Sequence, residues 1–239
     1  MILSNDTPMH YPWADLQPSA DGTGFDYAGR QVLGPYRAVL PFYAPGVAPV
    51  CDASGWYHIN PSGEPVYGQR YVRVFGYYEG LAAVCDARGW FHIHLDGRPA
   101  YSQRYPWVGN FQGGRCVVSE APETYHHLLP DGTPVYDQRY SYAGDYSEGS
   151  ACVRLSSGLW THIDLKGEPI HNQLFAGLGV YHKGYATACD AQGWFHITRN
   201  GDAVYPERYA TLEPFYNGRA LARTHAGQWF LLKEPPAAI

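Results

Sequence analysis

The sequence is poor in charge, in long apolar runs and in uninterrupted stretches that a helix would need. Lys, Arg, Asp and Glu together make up 16% of the 239 residues, against roughly 25% in an average soluble domain, which excludes a chain held open by its own charge. The net charge is -5 and no basic run occurs, so neither a nucleic-acid backbone nor an anionic membrane is expected as a partner. No 18-residue apolar stretch is present, and Met1 to His10 lack a basic region followed by an apolar core, so the expectation is a soluble, cytoplasmic protein. Glycine and proline number 27 and 19, and their regular punctuation leaves no room for a helix of useful length. Five cysteines is an odd count, and Cys51, Cys85 and Cys189 fall at one repeat position. Equivalent positions on stacked sheets lie about 10 Å apart, beyond the ~4.4 to 6.8 Å a disulfide allows, so free thiols are expected.

What the chain does have is tyrosine, 21 residues of it, and self-similarity. Six copies of one pattern begin at Tyr36, Tyr71, Tyr105, Tyr140, Phe175 and Tyr209, a period of 34 or 35 residues. Each runs from an aromatic through a Gly-containing turn and an aliphatic strand into a segment such as Gly89-Trp90-Phe91-His92-Ile93. A unit this short cannot bury its own apolar faces and must stack on its neighbours. In the second copy the pattern predicts strands over 72–77, 81–85 and 90–95, with an extended return over 99–105. The hairpin then sets Cys85 opposite Trp90 and Ala83 opposite His92, with Val84, Phe91 and Ile93 on the other face. Both faces are apolar, as in a sheet sandwiched between two others.

The expected fold is all-β, a six-bladed β-propeller of short repeats. An N-terminal strand within Arg30 to Pro35 would close the last blade, because Phe25 to Tyr36 resembles the end of a repeat and the last copy lacks its end. An open stack of β-hairpins is the alternative. The expected division is an N-terminal arm over 1–24, a single six-repeat domain over 25–234 and a tail over 235–239. Arg139 to Ile170, "RYSYAGDYSEGSACVRLSSGLWTHIDLKGEPI", resembles the bacterial WG repeat, in which a Tyr, a Gly-Asp-Phe-Ser-Glu-Gly turn and a Trp-Gly-Tyr-Ile-Asp strand recur. The likeness extends over Phe25 to Glu234, and it implies a binding or interaction module. His after the aromatic, where the family has Gly-Tyr after Trp, marks a divergent variant.

Two residue series invite a chemical reading. His58, His92, His127, His162 and His196 share one repeat position, but imidazoles about 10 Å apart cannot converge on an ion that binds nitrogen at about 2 Å. No metal or cofactor is expected, and each His would instead donate to a backbone carbonyl or carboxylate between blades. Arg70, Arg104, Arg139 and Arg208 recur in the Gln-Arg-Tyr or Glu-Arg-Tyr step. They would either tie the scaffold to carbonyls and carboxylates or form a ring that binds a small anionic molecule or a protein segment at an axial mouth.

Function on a repeated scaffold tends to lie where the repeat breaks. Glu120 and Glu123 replace the usual turn of the third copy beside His126, and His182-Lys183 alters the fifth. Glu123, His126, His182 and Lys183 are therefore the acid-base candidates for the alternative reading, a lyase, cyclase or isomerase of bacterial specialised metabolism. No nucleophile elbow, phosphate loop, His-Glu-x-x-His or calcium loop occurs. A third reading is a scaffold whose partner docks on Phe42, Tyr43, Tyr78 and Tyr216.

Overall fold

A computed structural model describes residues 11–235. The parts of the expected arm and tail at 1–10, His10 included, and at 236–239 lie outside the described residues. Among the described residues there are 21 strands in seven three-stranded antiparallel sheets, and no α-helix. The chain falls into two compact units, residues 1–111 with 130–132, and residues 112–129 with 133–239.

The first unit opens with a 3-10 turn, Trp13–Asp15, followed by β1 (Gln17–Pro18), β2 (Phe25–Tyr27) and β3 (Arg30–Leu33). Next come β4 (Ala38–Val39), β5 (Ala48–Asp52) and β6 (Gly55–Ile59), then β7 (Arg73–Tyr78), β8 (Leu81–Asp86) and β9 (Gly89–Ile93), and β10 (Trp107–Val108). The second unit begins with β11 (Cys116–Ala121) and β12 (Thr124–Leu128). Three sheets follow: β13 (Tyr142–Ala143), β14 (Ser150–Arg154) and β15 (Trp160–Asp164); β16 (Gly177–Leu178), β17 (Ala186–Asp190) and β18 (Gly193–Ile197); β19 (Thr211–Leu212), β20 (Arg219–Arg223) and β21 (Trp229–Lys233).

The strand expected to latch the last repeat does something else. Arg30–Leu33 pairs with β2, and β1 pairs with β2 on its other side, so the N-terminal segment makes a seventh sheet of its own. The physical reason is local. Ala28 and Gly29 both take positive φ, 48° and 76°, the conformation of a two-residue hairpin turn, and closing so short a loop costs far less entropy than recruiting a distant edge. The hairpin also buries Phe25 completely, in register with Leu33. Among the described residues strand structure thus begins at Gln17, inside the stretch expected as an arm.

The second repeat follows its sequence closely. Cys85 pairs with Trp90 and Ala83 with His92, while Val84, Phe91 and Ile93 are buried on the opposite face. Glu79 and Gly80, at φ 50° and 81°, make the tight turn between β7 and β8. The extended return is held by isolated bridges, Ile93 to Pro99 and Trp90 to Tyr105. Its turn needs Gly97, since a Cβ there would come within 2.7 Å of the Tyr67 Cβ of the preceding repeat. All five cysteines are free.

The histidines are the joints between repeats. His58 Nε2 donates to Phe75 O at 2.8 Å and His92 Nε2 to Gly109 O at 2.9 Å. In the second unit His127, His162 and His196 donate to Gly144, Gly179 and Glu213 at 2.8, 2.9 and 3.0 Å. A carbonyl only accepts, so Nε2 carries the proton and Nδ1 accepts. The donor to Nδ1 is the hydroxyl of Tyr67, Tyr101, Tyr136 or Tyr205, nine residues on. In the fourth repeat it is His171 Nε2, at 3.1 Å from His162 Nδ1. Burial pushes all five imidazoles down to about 4, against a small upward pull from the carbonyl, so they are neutral at pH 7.

Candidate ligand-binding cleft

The arginine series closes the end of each hairpin. Arg104 Nε donates to Asp86 Oδ2 at 3.0 Å and its Nη1 to the carbonyls of Ser102 and Gln103, with the guanidinium 3.3 Å above the Phe91 ring. Arg208 repeats this with Asp190 at 2.8 Å, the carbonyls of Pro206 and Glu207, and Phe195 at 3.5 Å. Arg70 lies over Tyr57 and reaches Ser54 Oγ, which itself donates to Asp52. Arg139 holds Glu120 through two bonds, 2.9 and 3.0 Å. The carboxylates do double duty: Asp86 Oδ1 accepts the Arg88 N–H that forms the turn, while Oδ2 takes the arginine. Partial burial pulls the Asp86 and Asp190 carboxyls upward, and the arginine and amide bonds outweigh it, leaving both below the usual range.

The fourth repeat has lost this lock as a unit. Trp160 pairs with Phe175 as Trp90 pairs with Tyr105, which sets Leu174 at the place of Arg104. By the same registers Leu155 stands for Asp86 and Thr161 for Phe91. Guanidinium, carboxylate and aromatic platform are replaced together, as expected of groups that act on one another.

Leu174 lines a cleft of about 340 Å³ between the fourth and fifth repeats. Leu174, Phe175 and Phe195 give it apolar walls, and Gln173, Asp190, Asp202 and Arg208 give it polar ones. Two carboxylates face one guanidinium, and that guanidinium is already bonded to Asp190. Leu174 is 51% exposed. An acidic, partly apolar recess of this kind accommodates a cation on an apolar stem.

The acid-base candidates do not gather. His126 occupies the aromatic position of its repeat, paired with Val118 as Phe91 is with Val84. Its Nδ1 lies 3.7 Å from Glu120 Oε1, and burial, reinforced by Arg139, pushes it down to about 4. Glu123 sits at positive φ on the tip of the β11–β12 turn. His182 and Lys183 belong to the other kind of turn, before β17, where Glu148 accepts the N–H groups of Lys183 and Gly184 and His182 packs on Tyr216. Turns before and after the central strand lie at opposite ends of a sheet, about 17 Å apart for a five-residue strand. Of the aromatic patch, Tyr43, Tyr78 and Tyr216 are exposed and Phe42 is buried. In the arm, Tyr11 packs on Tyr27, 5.1 Å between centroids.

No family model matches the sequence, and no curated protein does. Among solved structures, the computationally designed protein Ika8 is similar at 11% identity with a TM-score of 0.48, over 91% of this chain and 80% of that one. BamB from Moraxella catarrhalis is similar at 13% identity and 0.39, over 91% and 87%. A loop-replaced KlHsv2 gives 12% and 0.41, over 86% and 72%. Likeness at this level assigns neither family nor activity, and the site rests on its own geometry.

Proposed function

We propose that this chain is a non-catalytic binding module of the WG-repeat kind. It takes a cationic group on an apolar stem, carried by a small molecule or a protein segment, into the cleft between the fourth and fifth repeats. The observation that supports this most is the recess beside Asp190 and Asp202, in whose wall Leu174 stands at the place the other repeats give to an arginine. An anionic ligand on Arg70, Arg104, Arg139 and Arg208 would have to compete with backbone carbonyls at every one of them, and with Asp86, Glu120 and Asp190 at three.

The test is titration calorimetry with the peptide acetyl-Gln-Arg-Tyr-amide and its Glu-for-Arg counterpart, against the parent and Leu174→Arg. The parent is expected to bind the arginine peptide at least about tenfold more tightly, roughly 1.4 kcal/mol, and Leu174→Arg to lose that binding by filling the recess. Equal binding by parent and variant, or preference for the glutamate peptide, rejects the reading.

A further inference from the structure

The last sheet leaves one face open, and that face is basic at its ends and apolar at its middle. Arg219 pairs with Lys233, Leu221 with Leu231 and Arg223 with Trp229, so these six side chains share one face. In the fifth repeat the same face carries Cys189 opposite Trp194 and Thr187 opposite His196, and it is covered: His196 is fully buried and bonded to Glu213 O. In the last repeat Trp229 and Leu231 are 57% and 56% exposed. Leu231 stands where the joint histidine would, and it cannot donate to the carbonyl of a further repeat. An ordinary capping repeat has a polar outer face, and an exposed Trp-Leu centre is not one.

The charges on this face are unbalanced. Glu213, whose N–H bonds Leu221 O, stands at the end of β19 next to Leu221, between the levels of Arg219 and Arg223, so three cations meet one carboxylate. Among the described residues no ion pair engages any of the three cations, and Arg219 and Lys233 stand directly opposite each other, an unfavourable arrangement for like charges. Among the described residues no strand pairs with the outer edge of β21. Trp194 exchanges two backbone bonds with Tyr209, whereas the backbone of Trp229 exchanges none with such a segment among the described residues.

We infer that this face is a docking surface for an acidic, extended protein segment that adds to β21 as a further strand. Period-two alternation sets an acidic residue against Arg219 and Lys233, an apolar one against Leu231 and Trp229, and a second acidic residue towards Arg223. The sequence class is Glu-x-Leu-x-Glu. A peptide fits better than a polyanion, since three cations on one hairpin of two five-residue strands cannot offset the chain's net charge of -5 against a membrane or a nucleic acid.

The experiment is fluorescence anisotropy with a labelled Thr-Glu-Thr-Leu-Thr-Glu-Thr peptide and its Lys-for-Glu counterpart, in about 50 mM salt, where charge effects are not screened out. The acidic peptide is expected to bind and the basic one not. Lys233→Glu, folded by circular dichroism, weakens binding at least about tenfold, Lys166→Glu, the same charge change in the turn after β15, leaves it within about twofold, and Leu174→Arg does not alter it. No binding of the acidic peptide, or equal effects of Lys233→Glu and Lys166→Glu, overturns the inference. So does preferential binding to vesicles of phosphatidylserine and phosphatidylcholine or to a DNA oligonucleotide, or a concentration-dependent dimer in light scattering. Failure here leaves the cleft reading untouched, because the two use different residues and probes of opposite charge.

Discussion

Acidification should unfold this protein well above the pH at which its carboxylates titrate. His58, His92, His126, His127, His162 and His196 are buried and held at about 4 in the fold, against about 6.5 in an unfolded chain. The folded value is depressed, so these groups leave stability intact above pH 6.5 and withdraw it as the pH falls from there towards 4, where the unfolded chain binds protons the fold refuses. For one such histidine the loss at pH 5 is about 2 kcal/mol, and six would withdraw on the order of 12 kcal/mol, comparable with the ~5 to 15 kcal/mol that holds a typical domain together. Urea unfolding followed by tryptophan fluorescence at steps from pH 8 to 5 should show a flat region above pH 7 and a fall of several kcal/mol below 6.5. His92→Gln, whose amide can still donate to Gly109 O, should flatten the fall by about one proton's worth. A stability constant from pH 7.5 to 5, or resonances assigned to these buried imidazoles that titrate near 6.5 in the folded protein, would refute neutral histidines as the joints.

Three further outcomes follow from the same geometry. Arg104→Ala, and Arg104→Lys nearly as much, should cost about 2 kcal/mol in urea melts, because a lysine cannot serve Asp86, two carbonyls and the Phe91 face at once. Restoring the missing lock with Leu155→Asp, Thr161→Phe and Leu174→Arg together should raise stability by about 1 kcal/mol, with Leu174→Arg alone giving no such gain, and thermal melts decide it. Ellman's reagent at pH 8 should leave Cys116 and Cys152 unmodified until denaturant is added, since both are buried and burial pushes the Cys152 thiol up to about 12 and Cys116 higher still; rapid reaction of all five thiols in the native protein would contradict their burial.

The repeats were readable because each copy carries the same markers at the same spacing. Trp90, His92 and Cys85 fixed the hairpin register in the second copy, and the histidine bond to a backbone carbonyl followed from the cost of leaving a buried imidazole unpaired. The seventh sheet was hidden because the segment before the first copy, residues 17–33, has neither the Trp nor the His, and "FDYAGRQVLGPY" shows only the tail of the pattern; its Ala28-Gly29 turn closes a hairpin that periodicity cannot see. The cleft was hidden for a different reason. Leu155 and Leu174 look like ordinary apolar residues one at a time, and they acquire meaning only when Asp86 and Arg104 are known to touch across 18 residues. Periodicity reports which positions are equivalent but not which of them are bonded, so a repeat can lose a bonded set without breaking its rhythm. In this chain that silent loss places Leu174 in the wall of the cleft, whereas the conspicuous breaks at Glu123, His182 and Lys183 lie in turns at opposite ends of the sheets.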